Sequence, residues 1–145
     1  MPPREPTEPQ EPTERPPPPK RALRILIVDD DRDAVVTLSA LLQQDGHEII
    51  AAYSGSGVLS LVRSREPDAV LLDIGMPGGA TGFEIARELR FRLGRSCPAL
   101  IAITAWTQPA AREMGRLSGF NHYLTKPYTV AELRVLLASL PPTTK

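Results

Sequence analysis

Residues 27–34 read IVDDDRDA: an apolar run containing Leu23, Ile25, Leu26, Ile27 and Val28 stops at Asp29, Asp30 and Asp31, with Asp33 two residues on. Carboxylates this close repel, and each raises the others' pKa unless a positive group joins them. Other apolar runs also end in reactive side chains. AVLLD ends in Asp73, ALIAIT ends in Thr104 followed by the small Ala105, and NHYLT runs into Lys126-Pro127. Brought together, Asp29, Asp30, Asp73, Thr104 and Lys126 would form a set suited to phosphoryl chemistry. The carboxylates offer hard oxygens to a small divalent cation, for which Mg²⁺ is the natural choice because it keeps several waters and takes only one or two protein carboxylates. Such a cation relieves the repulsion and neutralises phosphoryl oxygens. The compact Lys126 ammonium can pair with a carboxylate or a phosphoryl oxygen, the Thr104 hydroxyl can donate to one, and Asp73 can act as a nucleophile.

That set is useful only if one fold gathers the run ends, and the patterning indicates which. Short apolar runs at Leu23–Asp29, Glu48–Ala52, Ala69–Asp73, Ala99–Thr104 and Asn121–Thr125 alternate with helical stretches at Ala34–Gln44, Val58–Arg65, Phe83–Leu93, Ala110–Leu117 and Val130–Leu140. Three of the runs are nearly continuous in Val, Ile, Leu and Ala, as expected of parallel strands covered on both faces. The first helical stretch has apolar residues at 34, 35, 38, 41 and 42, one stripe of a helix. Gly46 suits the left-handed position after that helix, Pro109 suits the first turn of the fourth, and Thr129-Val-Ala-Glu132 is a capping box opening the fifth. The expected fold is α/β, a (βα)₅ doubly wound, flavodoxin-like parallel sheet in the order 2-1-3-4-5, whose crevice lies at the carboxyl ends of strands 1 and 3.

The bulk properties narrow the function. The 145 residues suffice for one domain, and 17 basic residues cancel 17 acidic ones, so no net charge draws the chain to nucleic acid or to a membrane surface. No apolar run approaches the ~20 residues of a membrane span, and the N-terminus lacks a signal peptide's apolar centre. Cys97 is the only cysteine, which precludes an intrachain disulfide, fits a reducing cytoplasm, and reads as a small packing residue. Nine of the 16 prolines lie in residues 1–20, with EPT occurring twice. The expected division is therefore a disordered, proline-rich tail or linker at 1–21, with polyproline II character, a globular domain at 22–141, and a short tail at 142–145.

The motifs ILIVDD at 25–30, LLDIGMP at 71–77, ITA at 103–105 and YLTKPY at 123–128 closely resemble those of the receiver domain of two-component response regulators, in the same order and at matching spacing across the whole globular part. The resemblance implies that Asp73 accepts a phosphoryl group from the phosphohistidine of a histidine kinase or histidine phosphotransfer protein. It implies that Asp30 binds Mg²⁺ directly, that Asp29 does so more loosely or through water, and that Asp73 and the Gly75 backbone carbonyl complete the protein ligands. Lys126 would contact the acyl phosphate, Thr104 would swing toward it, and Tyr123 would follow inward as the switch aromatic. The result would be presented to a downstream protein on the face of the fourth helix, fifth strand and fifth helix, with homodimerisation on phosphorylation as one available output. The activity implied is self-phosphorylation and slow self-dephosphorylation, without a dedicated enzymatic role. Both a stand-alone regulator and the terminal receiver of a hybrid kinase fit, the latter slightly better, with output passing to another polypeptide.

Two features depart from the family pattern. Four residues separate Pro77 from Gly82 where three are usual, in a loop rich in glycine that borders the site. The residue two after Asp73 is Gly75, with no side chain to reach the phosphoryl group, and the residue two after Thr104 is the bulky Trp106. These positions influence aspartyl-phosphate hydrolysis in the family, so an altered lifetime is expected, with Trp106 either shielding the site or packing on the fourth helix.

Plainer readings are weaker. Asp29-x-Asp31-x-Asp33 resembles the start of an EF-hand, but the required Gly and Glu are replaced by Ala34 and Ala40. A haloacid-dehalogenase-like site would need a downstream acidic pair that this chain lacks. No phosphate-binding lysine loop occurs, and Gly55-Ser56-Gly57 lacks the rest of a dinucleotide fingerprint. His47 and His122 have no ligand spacing and read as structural. A receiver-like domain that binds partners without switching remains the alternative function, disfavoured because Asp29, Asp30, Asp73, Thr104 and Lys126 are all retained.

Overall fold

The computed structural model describes residues 22–75 and 81–140. The expectations for the N-terminal tail, for the extra residue in the loop after Asp73, and for the C-terminal tail lie outside the described residues. Within them, strands β1 (Arg24–Val28), β2 (Glu48–Ala52), β3 (Ala69–Asp73), β4 (Ala99–Thr104) and β5 (His122–Thr125) alternate with helices α1 (Arg32–Gln44), α2 (Val58–Arg65), α3 (Gly82–Leu93), α4 (Pro109–Ser118) and α5 (Val130–Ala138). The sheet order is β2-β1-β3-β4-β5, with every neighbouring pair parallel. This is the doubly wound fold expected from the alternation of apolar runs and helical stripes.

The continuous apolar runs follow from burial on both faces of the sheet. Along β1, Leu26 and Val28 join a core completed by Val58 and Val62 of α2 and Ile85, Ala86 and Leu89 of α3. The alternate residues Ile25 and Ile27, with Leu23 before them, join the opposite core with Val35, Leu38 and Leu42 of α1 and Leu133 and Leu137 of α5. Since successive strand side chains point to opposite faces, a strand covered on both faces has no solvated positions and therefore no polar alternation. The edge strand β5 is half-buried throughout.

Element ends differ from expectation by one or two residues, for local reasons. α1 starts at Arg32 because Asp31 caps it, its side chain accepting from Ala34 N at 3.2 Å, while Asp33 sits in the first turn. Negative charge at both positions suits the amino end of the helix dipole. α5 stops at Ala138 instead of Leu140, with Ser139 as its cap. The proline at position 141 disfavours a helical backbone in the residue before it. The Thr129–Glu132 capping box is formed, as is a second one, Thr81–Glu84, that opens α3.

Candidate functional site

The parallel register places the reactive side chains on one rim. Asp73 closes β3 opposite Ile103, one residue before Thr104, and Thr104 pairs with Thr125 at the end of β5. Lys126 N then donates to Thr104 O at 2.8 Å, fixing the start of the chain that carries the ammonium. At the end of β1, Asp29 N donates to Ala52 O at 3.1 Å, so the chain keeps its sheet direction for one residue beyond the strand. Asp29 Oδ1 accepts from Asp31 N at 3.0 Å, which turns the chain toward α1 and exposes Asp30.

Asp29, Asp30 and Asp73 each offer a carboxylate oxygen, and these oxygens all lie within 4.8 Å of one another. Lys126 Nζ stands 3.7 Å from Asp29 Oδ2 and 3.8 Å from Asp73 Oδ2. Those separations are ionic but beyond a good hydrogen bond, so the ammonium bridges two carboxylates without saturating either. Burial pushes the Asp29 carboxyl above its ordinary pKa; the Asp31 N–H opposes that push, Asp73 adds to it and Lys126 again opposes it. A small cleft joins Asp29, Asp73 and Lys126 to a floor of Val35, Leu38 and Ile103. The donors are hard oxygens, mutually repelling and only partly neutralised, which is the chemistry that a small divalent cation satisfies.

Around this cluster lies a second layer that couples it to the helices. Thr104 is buried, and its hydroxyl accepts from Trp106 N at 3.1 Å. Tyr123 donates its hydroxyl to Trp106 O at 3.3 Å, with the Arg112 guanidinium 5.1 Å from its ring centre. The Trp106 indole stands against Phe83 of α3, ring centres 6.3 Å apart, and over Gly75, where an added Cβ would meet Trp106 Cζ2 at 3.9 Å. Gly75 N donates to Asp73 Oδ1 at 3.1 Å. The departures at positions 75 and 106 are therefore complementary: the space left open at Gly75 borders the Trp106 indole.

Sequence reasoning missed two residues of this layer. Phe83 supports the indole, and nothing in its spacing marks that contact. Gly115 lies within α4, where an added Cβ would come 2.8 Å from the Tyr123 ring, so the glycine makes room for the aromatic. A glycine inside a helix costs about 1 kcal/mol relative to alanine, and that cost was a readable sign of a packing demand. Gly82 is explained in the same way, since a Cβ there would stand 2.7 Å from Ile74 Cα, where the first turn of α3 abuts the chain leaving β3.

A family model described as the response regulator receiver domain matches residues 25–138. The chain belongs to this family. Protein PilH of Pseudomonas aeruginosa is 38% identical over 104 residues, which cover 72% of this chain and 85% of that protein. Among solved structures, the Vibrio cholerae chemotaxis protein CheY4 superposes with a TM-score of 0.74 at 26% identity, covering 83% of this chain and all of that one. The non-phosphorylated HemR receiver domain of Leptospira biflexa gives 0.73 at 28% identity, covering 84% and 98%. The molecule is thus a response regulator receiver domain, a family that works with kinases or phosphotransfer proteins and with downstream partners. No helix among the described residues of this receiver domain is long and apolar enough to cross a membrane.

Proposed function

We propose that this receiver domain accepts a phosphoryl group on Asp73 and uses it to switch the binding of a partner. The observation that carries the reading is the group of three carboxylates within 4.8 Å of one another, two of them bridged by Lys126. An Asp73 carboxylate oxygen forms a bond to the phosphorus of a phosphohistidine. The phosphorus–nitrogen bond of the donor breaks, and the imidazole leaves with its bonding pair and takes up a proton. The product is an aspartyl phosphate on this chain and a free histidine on a kinase or phosphotransfer protein. Asp30, Asp29, Asp73 and the Gly75 carbonyl would hold Mg²⁺, which when bound supplies charge to neutralise the phosphoryl oxygens. Lys126 is placed to follow Asp73 and to pair with the phosphoryl oxygens that the acceptor acquires.

The switch reading rests on Thr104. Its hydroxyl now accepts from Trp106 N, and donating to a phosphoryl oxygen would draw that hydroxyl toward Asp73. Trp106 O holds the Tyr123 hydroxyl, so movement at Thr104 would reach the α4-β5-α5 face through Tyr123. A local charge change of this kind biases a two-state packing arrangement. Partner binding on that face, phosphorylation-dependent homodimerisation and a cytoplasmic setting belong to the same proposal. Gly75 and Trp106 are assigned to the lifetime of the phosphoryl group, since the indole borders the open space beside Asp73.

The reading is tested by incubating the protein with a small-molecule phosphodonor, with and without Mg²⁺, and following intact mass. The expected result is a single phosphoryl adduct that needs Mg²⁺ and is labile in base. Failure to gain any mass in the presence of Mg²⁺ would leave a receiver fold that only binds partners. The decay rate of the adduct in Trp106→Ala, compared with wild type, reads the lifetime assignment; equal rates would remove it.

A further inference from the structure

Helix α4 is packed unlike the others. Its buried residues are Gly115 and Ser118, both small, while its long apolar side chains, Met114 and Leu117, are 45% and 65% exposed. A helix in a protein takes most of its stability from an apolar face packed on the core. With no large side chain buried, the seating of α4 depends on what meets those two small residues. The Ser118 hydroxyl accepts from Arg87 of α3 at 3.3 Å. Gly115 meets the Tyr123 ring, where an added Cβ would come 2.8 Å from Cδ2 and 2.9 Å from Cε2.

The ring is held from two further sides. One turn before Gly115, the Arg112 guanidinium stands 5.1 Å from the ring centre, and the ring packs on the core between β4 and α3. Its hydroxyl bond to Trp106 O is exposed and, at 3.3 Å, long for an O–H donor. Packing at Gly115 and Arg112, more than that bond, therefore decides where the ring sits.

This seat adjoins the acceptor by two routes. Tyr123 donates to Trp106 O, and Trp106 N donates to the Thr104 hydroxyl. Phe83 Cε1 lies 3.8 Å from where a Cβ at 115 would stand, and Phe83 packs on the indole that covers Gly75. Gly75 N in turn donates to Asp73 Oδ1. The Trp106 backbone is thus held at its N–H by Thr104 and at its carbonyl by Tyr123. When a phosphoryl oxygen draws the Thr104 hydroxyl away, the seated tyrosine is the hold that remains.

We propose that Gly115 and Arg112 form a seat on α4 for the Tyr123 ring, and that this seat strengthens the hold of the acceptor site on a phosphoryl group. The proposal rests on the reading of Asp73 as the acceptor. Gly115 and Arg112 are positioning residues, acting through Tyr123 and Trp106. The coupling is reciprocal, so whatever the seated ring adds to phosphoryl binding, a bound phosphoryl group adds to the seating of α4.

The test is the dissociation constant of beryllium fluoride, a non-covalent phosphoryl mimic, measured with Mg²⁺ on the full chain. Nuclear Overhauser contacts between the Tyr123 ring and the Gly115 Hα protons are recorded alongside. Gly115→Ala is expected to weaken binding about 5-fold or more, and Arg112→Gln about 2- to 5-fold. Alanine is the better helix former, so such a loss is not a loss of helix. Added to Tyr123→Ala, Gly115→Ala should have no further effect, because the next atom, Phe83 Cε1, stands at an ordinary contact distance. Unchanged affinity in Gly115→Ala, an equal loss in both backgrounds, or no ring contacts to Gly115 in wild type overturns the seat and leaves the Asp73 reading standing. No binding of beryllium fluoride to wild type overturns the Asp73 reading, and this proposal with it.

Discussion

At the amino ends of the strands, Asp68 accepts from Arg24 N at 2.8 Å, Asn121 Oδ1 accepts from Leu100 N at 2.8 Å and from Arg90 at 2.6 Å, and the buried His47 accepts from Leu23 N at 3.1 Å. At the carboxyl ends, Asp29 and Asp73 have their nearest cation at 3.7 and 3.8 Å, and Asp30 faces solvent. Polar groups on the first rim meet their partners at hydrogen-bonding distance and close the ends of the sheet. On the second, Asp29 and Asp73 each accept one backbone N–H, but their charges stay close together and only partly neutralised. A buried polar group without a partner costs about 1–3 kcal/mol, so the first rim minimises such groups. On the second rim, incomplete neutralisation is what would leave a cation and a phosphoryl group something to bind under the proposed function.

The contrast can be broken from the amino-end side first. Asp68→Ala leaves Arg24 N without its side-chain acceptor, and urea unfolding should show a loss of about 1–3 kcal/mol, which Asp68→Asn restores in large part. An equal loss in both variants would mean that the carboxylate charge, and not the acceptor, matters there. Next in size is the ion pair between Asp45, which caps α1, and Arg134 of α5, made at 2.8 and 3.2 Å and partly shielded from solvent. Arg134→Ala should cost about 1 kcal/mol or less, with a smaller difference at high salt.

The carboxyl rim should respond in the opposite sense. Asp30→Asn removes a repelling charge, so the metal-free protein should melt no lower than wild type, whereas Mg²⁺ should raise the melting temperature of the wild type and not that of the variant. An unchanged Mg²⁺ response would remove Asp30 from the metal site. The smallest effect concerns pH. Burial lowers the His47 pKa below its ordinary value of 6.5, against the opposing charge of Asp45. The folded state then binds fewer protons than the unfolded chain, so this group costs no stability above pH 6.5 and costs progressively more as pH falls below it. His47→Gln, which can still accept from Leu23 N, should flatten that acidic limb in a stability-versus-pH series.

Much of this was legible in the residues. β1, β3 and β4 announced themselves because burial on both faces forbids polar alternation, and the run-end residues Asp29, Asp73, Thr104 and Lys126 follow once the strands are parallel. Pro109 and the Thr129–Glu132 box marked helix starts by local chemistry alone. The Thr81–Glu84 box carries the same local pattern at the start of α3. The contacts of Trp106 with Phe83 and Gly75, the fit of Gly115 to Tyr123, and the Asp45–Arg134 pair, 89 residues apart, were not legible. They depend on which side chains two separate elements bring face to face, and no local spacing encodes that.

The central claim is that the unsaturated rim exists to receive a phosphoryl group on Asp73. The most direct measurement is peptide mapping of the Mg²⁺-dependent adduct in wild type, Asp73→Asn and Asp68→Asn. The phosphoryl group is expected on the peptide containing Asp73 in wild type and in Asp68→Asn, and to be absent from Asp73→Asn. An adduct of undiminished yield in Asp73→Asn, or one mapping to another peptide in wild type, would contradict the account.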